Sequence, residues 1–285
     1  MFNVSKKSFC RFARHRLALI GLIITCILVL VAVFAPYISP KGYNEMNLRR
    51  ISQPPSYEYV LGTDEFGRCI LSRIIWGCRI SLVVGVMVVF ISGVIGSSLG
   101  LLAAYFGRTV DQIISRIIDI LMTFPYILLA IAIVSIIGRG GIEQVVFAIG
   151  VTYVPRFARL IRSYAISIRE TSYIEAIRAL GASHIRIIFG HILPNCLSGI
   201  LIFSSLTMGM AILAEAGLSF LGLGIQPPQP SWGIMIATGK NYIRTAPHMS
   251  LFPGLAITIT VLGFNFLGDG LRDLLDPRFR KKQRG

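Results

Sequence analysis

Long windows without charge recur along this chain, and they limit its fold more than any other feature. The first, "LALIGLIITCILVLVAVFAP" from Leu17 to Pro36, contains no Asp, Glu, Lys or Arg. At a rise of ~1.5 Å per residue it just crosses ~30 Å of hydrocarbon. Lipid cannot hydrogen-bond an exposed backbone group, so such a window is expected to be a helix. No small-residue cleavage site follows it, so it reads as an anchor that is kept rather than a signal peptide. Similar windows occupy Ile80 to Phe106, then about Ile113 to Ile137, Ile142 to Ile161, Asn195 to Leu221 and Ala246 to Gly268. The second is rich in Gly and Ser, which lets helices approach closely. The fourth is weaker, because Glu143, Arg156 and Arg159 crowd its ends. The expected fold class is therefore an all-α integral membrane protein with about six transmembrane helices. A mean hydropathy of +0.71, with 54% hydrophobic and 14% charged residues, exceeds what one soluble core would use.

The formal net charge of +15 does not point to nucleic acid, because the bases lie scattered between apolar spans. Membrane orientation accounts for them. With the N-terminus inside, nineteen of the 28 Lys and Arg fall on cytoplasmic pieces and nine on outer ones, which predicts both termini in the cytoplasm. The chain then divides into 1–79 (tail, first span and outer loop), 80–272 (the remaining spans) and a basic tail, 273–285.

Between the fourth and fifth spans lies "YIEAIRALGASHIRIIFGHILPN", residues 173–195, polar and punctuated by glycine. Its local chemistry predicts two short helices over 172–194. Ser172 with Glu175 fits a capping box, and a helix N-terminus favours the Glu charge. Gly181 can end that helix, Ser183 can start another, and Pro194 opens the next span. Ile174, Ile177 and Leu180 recur at helical spacing, while Arg178 and Arg186 keep the unit polar. On periodicity alone this is equally a connector lying on the membrane or a plug for a cytoplasmic partner.

Glu175, Ala176, Gly181, Leu193 and Pro194 stand at the spacing of the "EAA" loop of ABC importer membrane subunits: E-A-A, three residues, G, nine residues, I-x-L-P. Ile177 stands where the third small residue is usual, and His191 where the pattern has Ile; the oligopeptide branch often has "HILPN" there. "LGTDEFGRCILSRIIWGCRISL", 61–82, resembles the segment before the second span in the dipeptide, oligopeptide and nickel permeases, with Cys69 in place of an Asp. "EAGLSFLGLGIQPPQPSWG", 215–233, and "FNFLGDGLRDLLDPR", 264–278, resemble two further segments of that family. The combination is similar to the C-type permease subunit of dipeptide/oligopeptide/nickel ABC transporters.

The resemblance implies a multi-pass subunit of the cytoplasmic membrane that moves di- or oligopeptides, or alternatively nickel or a metal–metallophore chelate. It implies four kinds of partner: a sister B-type permease, two ATP-binding cassette subunits, an extracytoplasmic substrate-binding protein and membrane lipid. ATP and Mg would sit on the ATPase subunits, with no cofactor in this chain. Residues 173–190 would dock in an ATPase groove, giving coupling roles to Glu175, Ala176, Arg178, Gly181, Ala182, Leu193 and Pro194. The chain has no G-x-x-x-x-G-K-[ST] phosphate loop; Gly233 to Lys240 has the wrong spacing.

Charges inside spans are the next candidates, since each costs ~2.5–3.5 kcal/mol to insert. Arg116 and Asp119, three apart, are expected to pair on one face of the third span, at its cytoplasmic end or in a gate. Pro125 would bend that helix. Glu215 lies about twenty residues into the fifth span, ~30 Å by helical rise, near the outer surface. It would snorkel, pack or line an outer vestibule. Gly222, Gly224, Pro227, Pro228 and Pro230 end the helix, and Trp232 is expected at the membrane interface. The five Cys show no paired metal spacing, and on a helix Cys69 and Cys78 would stand ~13 Å apart, beyond disulfide reach. His184 and His191 lie on the loop unit, where a metal role is not expected. No set of side chains suggests hydrolysis, so no catalytic residue is proposed. A secondary transporter would show two related halves and ion-binding carboxylates at the midplane, and a channel or membrane enzyme would leave 172–194 without a purpose.

Overall fold

The computed structural model describes residues 16–138 and 141–275. The basic residues at 6–14 and 278–284, Arg139 and Cys10 lie outside them, as does the end of the 264–278 segment. The regular structure among the described residues is helical, with one isolated β-bridge joining Thr63 and Cys69. We number the helices α1 (Arg16–Ile38), α2 (Ile70–Phe106), α3 (Arg108–Thr123), α4 (Tyr126–Ile137), α5 (Ile142–Arg169), α6 (Ser172–Ala179), α7 (His184–Phe220), α8 (Trp232–Gly239) and α9 (His248–Leu275). Five of them are long and apolar enough to cross a membrane, and α3 with α4 would make a sixth as one bent span.

Apolar side chains with no protein neighbour mark the lipid-facing surfaces. Helix α1 buries only Ala18, Gly21, Ala32 and Ala35, and leaves Ile23, Ile27, Leu30 and Val33 exposed. Its buried stripe is small because α9 lies so close: a Cβ on Gly21 would stand 2.5 Å from the Leu267 amide nitrogen. Small residues do the same work between α2 and α5. Gly96 and Gly100, spaced as GxxxG, face the α5 backbone at Val154 and Ala158.

Helix α2 begins at Ile70, ten residues before the span expected at Ile80, and runs for 37 residues. Arg73 and Arg79 made the earlier residues look like loop. In the fold Arg73 is buried beside Asp64, its Nε 3.5 Å from the carboxylate, and Arg79 lies over the Trp76 ring. Asp64 is the centre of this cluster. Its Oδ1 accepts from the Phe66 and Arg68 amides, and its Oδ2 accepts from Arg68 Nε at 2.6 Å. Arg68 also reaches Glu65 at 2.9 Å. Burial pushes the Glu65 carboxyl above its usual range, with the Asp64 charge adding to it. His248, at the start of α9, holds the same turn through the Thr63 carbonyl.

The third span is not one helix. It breaks between α3 and α4 with a bend of 92°. Phe124 precedes a proline and is extended, with φ −83° and ψ 134°, which stops α3, and Pro125 caps α4. The fourth and sixth spans extend past their expected ends, to Arg169 and Leu275.

Candidate functional site

The 172–194 unit is built by local rules. Thr171 caps α6 with an extended backbone, and its hydroxyl donates to the Ile168 carbonyl at 2.7 Å. The capping box expected from Ser172 does not form, because Ser172 is already the first helical residue. Glu175 remains in the first turn, beside the positive end of the helix dipole. Gly181 stops the helix with φ +79°. Its amide donates to the Arg178 carbonyl at 3.0 Å and the Ala182 amide to the Ile177 carbonyl at 3.3 Å, the pair of bonds of a Schellman end. No atom lies within 4 Å of a Cβ built on Gly181, so backbone conformation rather than space demands the glycine.

Ser183 then caps α7, its hydroxyl accepting from the Arg186 amide. The expected second short helix is not separate from the fifth span. It passes through a π-turn, Ile188–Ile192, into Leu193–Phe220 without a break. Pro194 has no N–H to return to the preceding turn, and a widened turn removes the clash that an α-turn would force. A single rod thus runs from the loop unit into the membrane.

The unit's inner face is apolar. Ile174, Ile187, Ile188 and Ile192 are buried with Leu101 and Tyr105 of α2 and Ile161 and Ala165 of α5, while Ile177, Ala182 and Leu193 pack against them. Leu180 does not share that face. It is 87% exposed, because the chain has already turned out of the helix there. Glu175, Ala176, Arg178 and Pro194 are exposed as well. Two pairs that sequence reasoning missed fasten the unit: Tyr105 Oη to His184 Nδ1 at 2.7 Å, and Tyr173 Oη to His191 Nδ1 at 3.0 Å. The guanidinium of Arg178 lies 5.7 Å from the Tyr105 ring centroid.

The charges of the third span find partners elsewhere. Asp119 bonds not to Arg116 but to Arg159 of α5, at 2.6 Å, and Arg116 is exposed. Asp111, one turn before Ser115, takes a forked bond from Arg162 at 2.5 and 2.6 Å, a pair that local spacing could not reveal. These two pairs differ in environment. Both side chains of the Asp119 pair are more than half exposed, whereas those of the Asp111 pair are 34% and 23% exposed. Asp119→Asn should therefore change stability by under ~1 kcal/mol. Asp111→Asn should cost about 1.5 kcal/mol, after allowance for partial exposure. Thermal melting of the two variants checks the order, and equal losses would contradict it.

Pro125 is exposed at the α3–α4 break. Glu215 is wholly buried, so it does not snorkel; it accepts from Ser219 Oγ at 2.7 Å. Trp232 is also inside the protein rather than at the membrane interface, 1% exposed, with its indole N–H on the Ile74 carbonyl. The polar end of the indole is satisfied within the bundle, so burial leaves no unpaired donor.

Comparison with known proteins agrees with this architecture. A family model described as "Binding-protein-dependent transport system inner membrane component" matches residues 96–281. One described as the N-terminal transmembrane domain of oligopeptide transport permease C matches residues 6–55. The dipeptide transport system permease protein DppC of Alkalihalophilus pseudofirmus is 47% identical over 275 residues, which cover 96% of this chain and 90% of that one. The glutathione transport system permease protein GsiD of Pectobacterium atrosepticum is 45% identical over 271 residues, 95% and 90% of the two chains. Among solved structures, an inward-facing MetNI methionine ABC transporter aligns with a TM-score of 0.59 at 22% identity. That alignment covers 70% of this chain and 95% of that one, a likeness of fold.

Proposed function

This chain belongs to the binding-protein-dependent transport system inner membrane component family, a membrane permease subunit of an ABC importer, and from that membership we propose that its cargo is short peptides. The names of its relatives support the cargo, since they transport dipeptides, peptides or glutathione. The chain itself is not catalytic; ATP hydrolysis belongs to separate subunits.

The observation that carries the mechanism is the continuous α7 rod, joined through Gly181 to α6. In our reading the termini and the 172–194 unit are cytoplasmic, in keeping with the distribution of Lys and Arg. The unit plugs into a groove of an ATPase subunit. Exposed Leu180 and Ile185, 87% and 72% accessible beside Glu175, Ala176 and Arg178, offer it a mixed apolar and charged surface. Closure of the two ATPases pushes α6, and the Schellman end, the two Tyr–His bonds and the buried isoleucines pass that push to α2, α5 and α7 as a rigid-body movement. A sister permease completes the pathway, and an extracytoplasmic binding protein delivers the peptide. Arg116, Asp119 and Pro125, at the bent span, are our candidates for gating; Glu215 locks the end of α7 from inside.

Uptake of labelled dipeptides, oligopeptides and glutathione, beside labelled nickel with and without a metallophore, tests the cargo in cells lacking only this chain. Loss of peptide or glutathione uptake, restored by the gene, is expected. Loss of nickel uptake alone would overturn the peptide reading.

A further inference from the structure

One cavity of about 380 Å³ opens beside the coupling unit, and three arginines line it. It lies where α2 ends, α3 begins and α6 approaches, with Tyr105, Arg108, Asp111, Arg169 and Arg178 in its walls. The single acid among them is already used, since the Arg162 guanidinium holds both Asp111 oxygens. Arg169 gives one N–H to the Ala104 carbonyl, and Glu170, 3.8 Å from its other nitrogen, is 66% exposed at the surface. Neither Arg108 nor Arg178 has an acidic partner within 4.0 Å among the described residues. Three guanidinium groups thus converge on one polar space, two of them with no acidic partner and Arg178 resting over the Tyr105 ring. Arg108 is held there at φ +42°, a conformation that arginine rarely adopts and that is kept mostly where a site needs it.

Guanidinium groups are weakly hydrated planar forks that fit phosphate oxygens. We propose that this cavity is a phosphate-binding site, and that its occupant is the headgroup of an anionic phospholipid. The surroundings favour lipid over a soluble ion. Phe106 lines the cavity and is itself exposed, and Leu102, Val110 and Ile113 on the same two helices are exposed as well, apolar surface available to acyl chains. Basic pockets between membrane helices on the cytoplasmic side hold anionic headgroups, and that leaflet carries the anionic lipid. The choice of leaflet rests on the orientation proposed above; binding itself does not.

The site joins three elements. Arg108 belongs to α3, Arg169 to the end of α5 and Arg178 to α6. A bound phosphate joins them in a three-way clasp, so an anionic lipid braces the coupling helix.

The assembled transporter, purified in neutral detergent and titrated under native mass spectrometry with phosphatidylglycerol, phosphatidylcholine or inorganic phosphate, tests this. Arg108→Gln is the main variant, because Arg108 is exposed and its loss leaves the packing intact. The double variant Arg108→Gln with Arg169→Gln follows. Phosphatidylglycerol should be retained in preference to phosphatidylcholine, and each arginine removed should weaken it about fivefold. Binding of inorganic phosphate that the variants lose, with no preference for phosphatidylglycerol, would keep the phosphate site and overturn the lipid as its occupant. If the variants retain both ligands as the wild type does, the site does not exist. These readouts need no transport, so they fail independently of the cargo and of the importer mechanism.

Discussion

Gly181→Pro should lower uptake at least tenfold while the chain stays in the membrane at its normal level. Gly181 sits at φ +79°, and proline fixes φ near −65°. Proline also has no N–H for the Arg178 carbonyl, which that amide now satisfies. The Schellman end cannot survive, and α6 loses its fixed angle to α7. The Cβ position itself is open, since no atom lies within 4 Å of it, so the damage comes from the backbone. Gly181→Ala is the graded companion. Its cost is only the left-handed backbone, ~1–2 kcal/mol, so uptake should fall partially. Uptake assayed beside substrate-stimulated ATP hydrolysis gives the answer. Normal uptake by the proline variant would remove Gly181 from coupling, and loss of the chain from the membrane would make its role one of folding.

Much of this unit was legible in the sequence because caps are local. Gly181 and Ser183 each act through bonds to residues at most five positions away, and each appears in its expected place, whereas Pro194 falls inside the continuous α7 instead of opening a new helix. What failed depended on distance. Asp119 was matched to Arg116, three residues off, whereas its partner Arg159 is 40 residues along the chain. Tyr105 and His184 are separated by 79 residues, so nothing in the local pattern joined them. The start of α2 was misplaced for the same reason: Arg73 looks like a loop residue until Asp64, across a turn, neutralises it. Pro125 announced a bend, but its size of 92° depends on how α3 packs against α5. A carboxylate near the end of a span looks solvated, so the complete burial of Glu215 was also hidden.

Gly100→Val should be among the most damaging substitutions in the membrane region, costing about 3 kcal/mol or more. A Cβ at Gly100 would stand 2.5 Å from the Ala158 carbonyl oxygen and 2.9 Å from the Arg162 amide nitrogen. Both are backbone atoms, so α2 and α5 can only move apart, and with them the cluster that seats Ile174 and Ile187. Gly93→Ala, on the same helix, is the control. Its new methyl would meet the Phe157 ring at 3.7 Å, an ordinary contact, and should be nearly neutral. The melting temperature and membrane abundance of the two variants decide between close packing and simple helix propensity. Similar values for both would mean that the α2–α5 contact does not set stability.

The break at Pro125 also has a consequence for thickness. Helix α4 has 12 residues, ~18 Å of rise, against a hydrocarbon layer of ~30 Å. Helix α3 turns away at 92° and adds almost nothing along the same axis. It leaves Ile113, Ile117 and Ile120 facing outward. Around a lone copy, lipid must thin to match that short wall or leave it uncovered. A wall this short is covered over the full hydrocarbon depth only where a longer helix stands beside it, so what packs against α4 decides how the bilayer meets the protein there.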